Sequence, residues 1–129
     1  MCTIISEACF YDKRSNEIMD ILRSQLAPFG PIVWCGDGYA VNFEIGSAIL
    51  KAIENMLIIR IEAVDLISSY AIKTIIEGYL LEVDDIKQAA LLWIPAKVEP
   101  FASLADFTGL RKNSDGTWFQ RDGSDEGGK

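Results

Sequence analysis

The stretch WCGDGYAVNFEIGSAILKAIENMLIIRIEAVDLISSYAIKTIIEGYLL, residues 34–81, decides the fold of this chain. Apolar side chains alternate with smaller or polar ones over residues 39–45, which is typical of a strand with one buried face. Residues 48–53 predict the next strand, and the alternation over residues 57–64 predicts a third. Three consecutive strands followed by one long apolar helix are therefore expected.

Residues that favour turns separate these strands. The sequence Gly-Asp-Gly at 36–38 follows an apolar run at 32–34. It predicts a tight connection between two strands, because Gly tolerates positive φ and Asp favours turns. Gly46 and the serine after it permit a bend or a bulge. Glu54 and Asn55 are interpreted as a hairpin turn.

A long helix is predicted to follow Asp65, whose carboxylate can cap the first turn by accepting from its free N–H groups. A three-then-four spacing places an apolar set on one helix face: Ile67, Tyr70, Ala71, Thr74, Ile75, Gly78 and Tyr79. Ile72, Ile76 and Leu80 widen this stripe. The only charged residues between Leu66 and Leu81 are Lys73 and Glu77. Such a helix is expected to lie against a sheet or to be covered by a partner.

The segments on either side complete the predicted order of elements. Residues 3–11 suit an N-terminal strand, and a short helix with Ser15 as its N-cap is predicted to follow. The packed stripe of this helix is Ile18, Ile21, Leu22 and Leu26. Residues 84–94 fit either a helix or a short strand that ends at Pro95, and the strand is favoured because the sheet can accept one more.

These elements predict a single α+β domain with a mostly antiparallel sheet. Its order is strand, helix, three strands, helix, strand, with both helices on one face of the sheet. The domain is expected to span residues 1–95. Residues 96–129 form a C-terminal extension, in which Phe101 belongs to one docking turn of helix. The chain is expected to be mobile from about residue 112.

Composition limits the partners and the location. At 129 residues the chain is expected to be one domain. Its formal net charge of −7 disfavours nucleic acid and anionic membrane surfaces, since binding to either needs clustered Lys and Arg. The N-terminus does not read as a secretory signal, and no apolar segment is long and uninterrupted enough to span a bilayer. The protein is predicted to be cytoplasmic.

Missing residue types limit the chemistry. The chain has no histidine, which removes His-based general bases, Ser-His-Asp and Cys-His arrangements and nearly all catalytic zinc sites. Cys2, Cys9 and Cys35 form no CxxC pair and are interpreted as reduced thiols, with Cys35 as a buried one. No catalytic residue, metal site or cofactor is therefore predicted.

The candidate ligand or interface set consists of aromatic residues: Trp34, Tyr39, Tyr70, Tyr79 and Trp93. They either line a pocket between sheet and helix or belong to the core and its rim. A small enzyme at such a pocket would have to use carboxylates, tyrosine or lysine, for example Glu44 or Glu62 near Tyr39. Arg60 and Glu62 otherwise mark the wetter face of the third central strand.

Two resemblances bear on function. The sequence Ile-Arg-Ile-Glu-Ala-Val-Asp at 59–65, which enters the helix, and the aromatic-ended strand at 92–93 resemble a small uncharacterised bacterial domain family. That family is found alone and attached to siderophore-interacting flavoproteins; the similarity covers roughly residues 3–94 and implies the fold but no activity. The order helix, three strands, helix, strand also looks like the type III secretion chaperones. Those are dimers that hold an unfolded effector segment on apolar grooves.

The leading functional hypothesis is a non-catalytic binding or accessory module that acts through an apolar surface. It is motivated by the apolar second helix and the missing catalytic constellation. The expected partner is another protein or a second copy of the chain, as a possible homodimer. A secretion-type chaperone dimer is one alternative, and a small enzyme or ligand carrier with a pocket between sheet and helix is the other.

Overall fold

The computed structural model of the protein describes residues 3–36, 38–83, 91–103 and 105, and the backbone pairing of 111–112 with 118–119. The helices of this part are α1 (Ser15–Leu26) and α2 (Leu66–Leu81), and a 3₁₀ turn, Ala27–Phe29, follows α1. The strands are β1 (Ile4–Tyr11), β2 (Ile32–Cys35), β3 (Gly38–Phe43), β4 (Gly46–Ile53), β5 (Met56–Ala63), β6 (Ile94–Pro95), β7 (Arg111–Lys112) and β8 (Trp118–Phe119).

Strands β1 to β6 form one antiparallel sheet in the order β2-β3-β4-β5-β1-β6. The predicted α+β class with a mostly antiparallel sheet is therefore confirmed. Four strands rather than three lie between the helices, because the apolar run at 32–34 belongs to an edge strand that pairs with β3. The N-terminal strand β1 lies inside the sheet, between β5 and β6.

The two predicted hairpin connections are present. Cys35 pairs with Gly38, and Gly36 has a φ of +66°, which suits a tight turn. Asp37 of this turn lies outside the described residues. Ile53 pairs with Met56 across the second turn, as its sequence predicts.

The bend predicted at Gly46 is instead the start of β4. The turn between β3 and β4 is formed by Glu44 and Ile45, so the strand predicted over residues 39–45 ends earlier, at Phe43. A Cβ atom at Gly46 would overlap the Glu62 carbonyl oxygen of the neighbouring strand. Glycine is needed there because the two backbones approach closely.

Both helices pack on the same face of the sheet and share one hydrophobic core with β3, β4 and β5. Helix α1 buries Ile18, Met19, Leu22 and Leu26, whereas Ile21 of the predicted stripe is exposed. Ser15 is the first residue of α1 and not its N-cap: its Oγ donates a hydrogen bond of 2.8 Å to the Glu54 carbonyl. This bond joins the start of the helix to the β4–β5 hairpin.

Helix α2 begins as predicted but packs by a different face. The Asp65 carboxylate accepts from the Ser68 backbone N–H at 2.8 Å, and this bond holds the pKa of the Asp65 carboxyl below its usual value. The buried residues are Ser68, Ser69, Ile72, Ile76 and Leu80. Ile67 and Tyr70, predicted to be packed, are exposed. The predicted face is wrong because apolar residues surround the helix, so their spacing does not distinguish its sides.

The opposite face of the sheet is covered by residues 97–103 and 105. Phe101 is fully buried there against Ile53, Met56 and Ile58, and its carbonyl accepts from the Ala105 N–H at 2.9 Å. The predicted docking turn at Phe101 is therefore present. Arg60, predicted to lie on a wetter face, is buried beneath this segment.

The remaining C-terminal predictions are only partly covered by the described residues. Strand β6 pairs with β1, but residues 91–93 have no regular structure, so the last strand of the sheet starts later than expected. Residues 84–90 lie outside the described part. Strands β7 and β8 pair antiparallel with each other. The boundary at residue 95 and the mobility from about residue 112 stay predictions.

Candidate binding surface

The side of α2 that faces away from the sheet is apolar and exposed. Side-chain exposure is 72% at Leu66, 83% at Ile67, 74% at Tyr70 and 55% at Leu81. Thr74 and Gly78 lie between them on the same side and are also exposed. These six residues are called the outer face of α2 below. Contiguous exposed apolar surface of this kind marks interaction sites in proteins that are otherwise well packed.

Both charged residues of α2 are held by one tryptophan. The Glu77 carboxylate accepts from the Trp93 ring N–H at 2.9 Å and from the Leu91 backbone N–H at 3.1 Å. The Lys73 ammonium lies 5.5 Å from the centre of the Trp93 ring, within the range of a cation–π interaction. Both charged side chains are therefore engaged by Trp93 at the flank of the helix, and none of the six outer-face residues is charged.

The middle of the outer face carries the small residues Thr74 and Gly78. The Thr74 hydroxyl donates to the Tyr70 carbonyl at 2.9 Å, so it is satisfied within the helix. A Cβ atom at Gly78 would meet no atom within 4 Å. Because Gly in a helix interior costs about 1 kcal/mol relative to Ala, and nothing within the monomer requires it here, the position suits the close approach of another helix.

Three depressions border the outer face. One, of about 560 Å³, is lined by Ile4, Val64, Asp65, Leu66 and Ile67 at the start of α2. A second, of about 290 Å³, lies beside Thr74 and Gly78 and reaches Phe29 and Glu82. The third is a cleft of about 470 Å³ between α2, the turn after α1 and the β3–β4 turn, lined mainly by Phe29, Phe43, Ile45 and Ile75. All three are open and more apolar than polar, so they extend the apolar surface rather than enclose a site for a small polar molecule.

The structure does not bring the five predicted aromatic residues together. Trp34 lies exposed on edge strand β2, with its ring centre 5.4 Å from that of Tyr39. Tyr70 belongs to the outer face of α2. Tyr79 packs edge-on against Phe29 at 6.2 Å. Trp93 lies at the flank of α2 that holds Lys73 and Glu77. The five residues are therefore one exposed edge-strand residue, one core residue, one outer-face residue and two partly buried residues at the rim of the core, and they do not line one pocket.

Tyr39 is a core residue rather than a reactive one. Its ring is fully buried, and its hydroxyl donates to the Met19 carbonyl of α1 at 2.7 Å. Burial raises the pKa of the Tyr39 hydroxyl, so it stays protonated. Glu62 lies on the other face of the sheet, where its carboxylate accepts from the Arg60 side chain at 2.8 Å. The candidate pairing of Tyr39 with Glu62 in one site is therefore wrong, since the sheet separates them.

The thiols and carboxylates suggest no other centre. Cys35 is exposed and not buried as predicted, because it lies on the edge strand of the sheet. Burial raises the pKa of the Cys9 thiol, which lowers its reactivity. In the described part of the chain, no three Cys, Asp or Glu side chains are grouped so that they could hold a metal ion.

Sequence reasoning missed a buried charged cluster on the second face of the sheet. Glu7 of β1 and Arg60 of β5 are directly opposite each other in the sheet, and their side chains meet at 2.7 Å with almost no exposure. The available signal was one charged residue in the middle of each of two apolar strands. Two such residues of opposite sign are expected to pair when both strands lie inside a sheet.

The described helices include none that is long and apolar enough to cross a membrane.

Comparison with known proteins identifies the fold and no more. No protein-family model matches the sequence, and no curated protein is similar to it. The NMR structure of PA4090 from Pseudomonas aeruginosa is similar in fold, with a TM-score of 0.61 and 12% sequence identity. The match covers 73% of this chain and 98% of that chain. The resemblance to the domain family attached to siderophore-interacting flavoproteins stays a prediction.

Proposed function

We propose that this protein is a non-catalytic protein-binding module that associates with a second copy of itself through the outer face of α2. The observation that carries the proposal is the exposure of Leu66, Ile67, Tyr70 and Leu81 on one side of an otherwise packed helix. Water contact with these side chains is unfavourable, and a matching apolar surface removes it.

A second copy fits this surface because the outer face can pack on itself about a two-fold axis. In an antiparallel pair of α2 helices that cross near Thr74, Leu66 and Ile67 of one helix meet Leu81 of the other, and Gly78 faces Tyr70. A two-fold interface of this kind uses the same patch on both copies. Each chain has a net charge of −7, so two copies repel each other except where they meet by an uncharged patch.

The loss of motional freedom limits the strength of the expected association. A fully buried Leu, Ile or similar side chain contributes about 1.5–3 kcal/mol, so eight partly exposed side chains from two copies supply roughly 10–15 kcal/mol. Association itself costs about 4–15 kcal/mol in lost motional freedom. The difference is at most about −11 kcal/mol, so the dissociation constant is no tighter than roughly 10 nM. The fraction of dimer should therefore rise as the protein is concentrated.

Sedimentation equilibrium over a wide concentration range tests the proposal with a matched pair of variants. Ile67→Glu places a charge in the outer face, and it should weaken the dimer at least about tenfold, the effect of roughly 1.4 kcal/mol. A negative residue in the first turn of a helix is favourable, so this change should not unfold α2. Val98→Glu adds the same charge at a side chain of equal exposure, 83%, in the segment on the opposite face of the sheet. It should leave association unchanged.

Two results would contradict the proposal. One is a wild-type protein that stays monomeric up to millimolar concentration. The other is an Ile67→Glu variant that dimerises as well as wild type. The secretion-chaperone form of the proposal depends on the same dimer, because chaperones of that class act as dimers. A cytoplasmic location is part of the proposal and is supported by the odd number of cysteines, which cannot all pair within one chain.

A further inference from the structure

We infer that the face of the sheet opposite the helices is a peptide-recognition site, which the chain fills with its own residues 97–101 as a tethered ligand. The site is formed by Glu7 of β1, Arg60 of β5 and the apolar pocket of Phe101. The partner it fits is an extended segment of another protein with the same pattern. That pattern is three successive free carbonyls followed, two residues later, by an aromatic residue.

Arg60 recognises the segment through its backbone. The guanidinium donates to the carbonyls of Lys97 at 2.9 Å, Val98 at 2.8 Å and Glu99 at 3.5 Å. Five donors in a rigid fork let an arginine side chain bind several acceptors at once. Since backbone carbonyls are common to all residues, any extended segment of suitable shape offers the same acceptors.

Glu7 supplies the complementary acceptor. One carboxylate oxygen accepts from Arg60 at 2.7 Å and from the backbone N–H of Phe101 at 2.6 Å. Glu7 and Arg60 are opposite each other on two neighbouring strands inside the sheet, so the two groups are held by its most constrained part. The site therefore binds both a backbone N–H and the backbone carbonyls of one segment. The pairing of β1 with β5 holds Glu7 and Arg60 in position.

One side chain gives the site its selectivity. Phe101 is fully buried against Ile53, Met56 and Ile58, with the Lys51 ammonium 5.8 Å from its ring centre. Lys97, Val98, Glu99 and Pro100 are exposed. A single aromatic anchor in a pocket, flanked by residues that stay exposed, is a common way to recognise an extended peptide.

The tethered segment is held under strain. Phe101 has a φ of +65°, a left-handed conformation that is unfavourable for a bulky residue other than Gly. Strain weakens the hold of the chain on its own site and is released when the segment leaves. A competing segment that reaches the Glu7 carboxylate and the pocket of Phe101 with a negative φ at its aromatic residue does not pay this cost.

A buried ion pair is a poor choice for stability alone. Replacing such a pair by apolar residues is often neutral or stabilising, because both charges lose their hydration. Arg60 bonds the side chains of Glu7 and Glu62, and its remaining donors, like the Glu7 carboxylate, bond the backbone of one segment. The pair gives specificity for a chain segment, which an apolar patch would not.

Binding of a fluorescent peptide of residues 96–105, AKVEPFASLA, tests the inference in the full chain. A tethered segment acts at an effective concentration of about millimolar, so micromolar peptide should not displace it from wild type. The Phe101→Ala variant loses its anchor and should bind the peptide at least tenfold more tightly than wild type does. A peptide with Ala in place of Phe should not bind. Tyr70→Ala, which removes an aromatic side chain from the opposite side of the molecule, should behave as wild type.

Hydrogen exchange of the wild-type protein provides the second measurement, which does not depend on a variant. The amide of Phe101 should exchange through local release of the segment, at least about tenfold faster than the amides of β5, which open only with the whole domain. The inference is overturned if the Phe101 amide exchanges as slowly as those of β5. It is also overturned if a folded Phe101→Ala variant fails to bind the peptide at millimolar concentration.

Discussion

Ser69 is fully buried on the packed side of α2, and its hydroxyl has no hydrogen-bond partner among the described residues. A buried hydroxyl without a partner loses its bonds to water and gains none, which destabilises a protein by about 1–3 kcal/mol. Its neighbour Ser68 is also mostly buried, but its backbone N–H caps the helix through Asp65. Two adjacent serines in the same sequence context thus have opposite effects on the helix.

Replacing Ser69 by Ala removes the unpaired hydroxyl and introduces the best helix former. We expect the free energy of unfolding to rise by about 1 kcal/mol, measured by urea denaturation at a concentration where the protein is monomeric. Ser68→Ala keeps the capping N–H but removes the hydroxyl that also bonds the Asp65 carboxylate, so this comparison variant should lower the free energy of unfolding by about 1 kcal/mol. A loss of stability in Ser69→Ala would show that the hydroxyl is satisfied after all.

At the scale of the element, α2 is apolar around most of its circumference, and the sheet selects which side is buried. The residues buried on the packed side are Ser68, Ser69, Ile72, Ile76 and Leu80, whereas Ile67 and Tyr70 are exposed. The apolar spacing on the two sides is equally regular, so the sequence predicted the helix and its start but not its orientation. The unburied side became the candidate binding surface.

A substitution at Gly78 is expected to change the stability of the monomer and the strength of the dimer in opposite directions. Gly78→Ala should stabilise the dilute monomer by about 1 kcal/mol, because a Cβ there meets no atom within 4 Å and Ala favours the helix. The same methyl group would hold two crossing helices apart, so the dimer should weaken several-fold. Denaturation at low concentration and sedimentation at high concentration measure the two effects. A variant that is more stable and also dimerises better would contradict the close approach of two helices at Gly78.

At the scale of the whole molecule, the sheet has two covered faces of different kinds. The helices cover one face with an apolar core, and residues 97–103 and 105 cover the other. Strands β1, β4 and β5 contribute side chains to both faces, and β1 and β5 carry the buried Glu7 and Arg60 on the second face. The ion pair therefore links the C-terminal segment to the centre of the fold.

A double-mutant cycle measures this link. Arg60→Met leaves the Glu7 carboxylate buried without its cation and should lower the free energy of unfolding by about 3–5 kcal/mol. Adding Glu7→Gln removes the uncompensated charge and retains an acceptor for the Phe101 N–H. The double variant should therefore be more stable than Arg60→Met alone, by at least about 1 kcal/mol. If the losses of unfolding free energy in the single variants Arg60→Met and Glu7→Gln simply add up in the double variant, the two side chains do not act as a pair.

The sequence by itself determined the local structure of this protein. Alternating residues predicted the central strands, Gly36 and Glu54 marked hairpins, and Asp65 marked the start of α2, because strand period, turn geometry and capping depend on residues close together in the chain. It also excluded histidine-based chemistry.

Only the tertiary structure decided which surfaces are buried. The position of β1 between β5 and β6 brings Glu7 opposite Arg60, across a separation of 53 residues. Packing against the core formed with α1 and the sheet fixes the buried side of α2, and the sheet itself separates Tyr39 from Glu62. These relations depend on contacts between residues distant in sequence. The spacing of apolar residues along one helix or strand carries no information about them, since it is the same whichever side is covered.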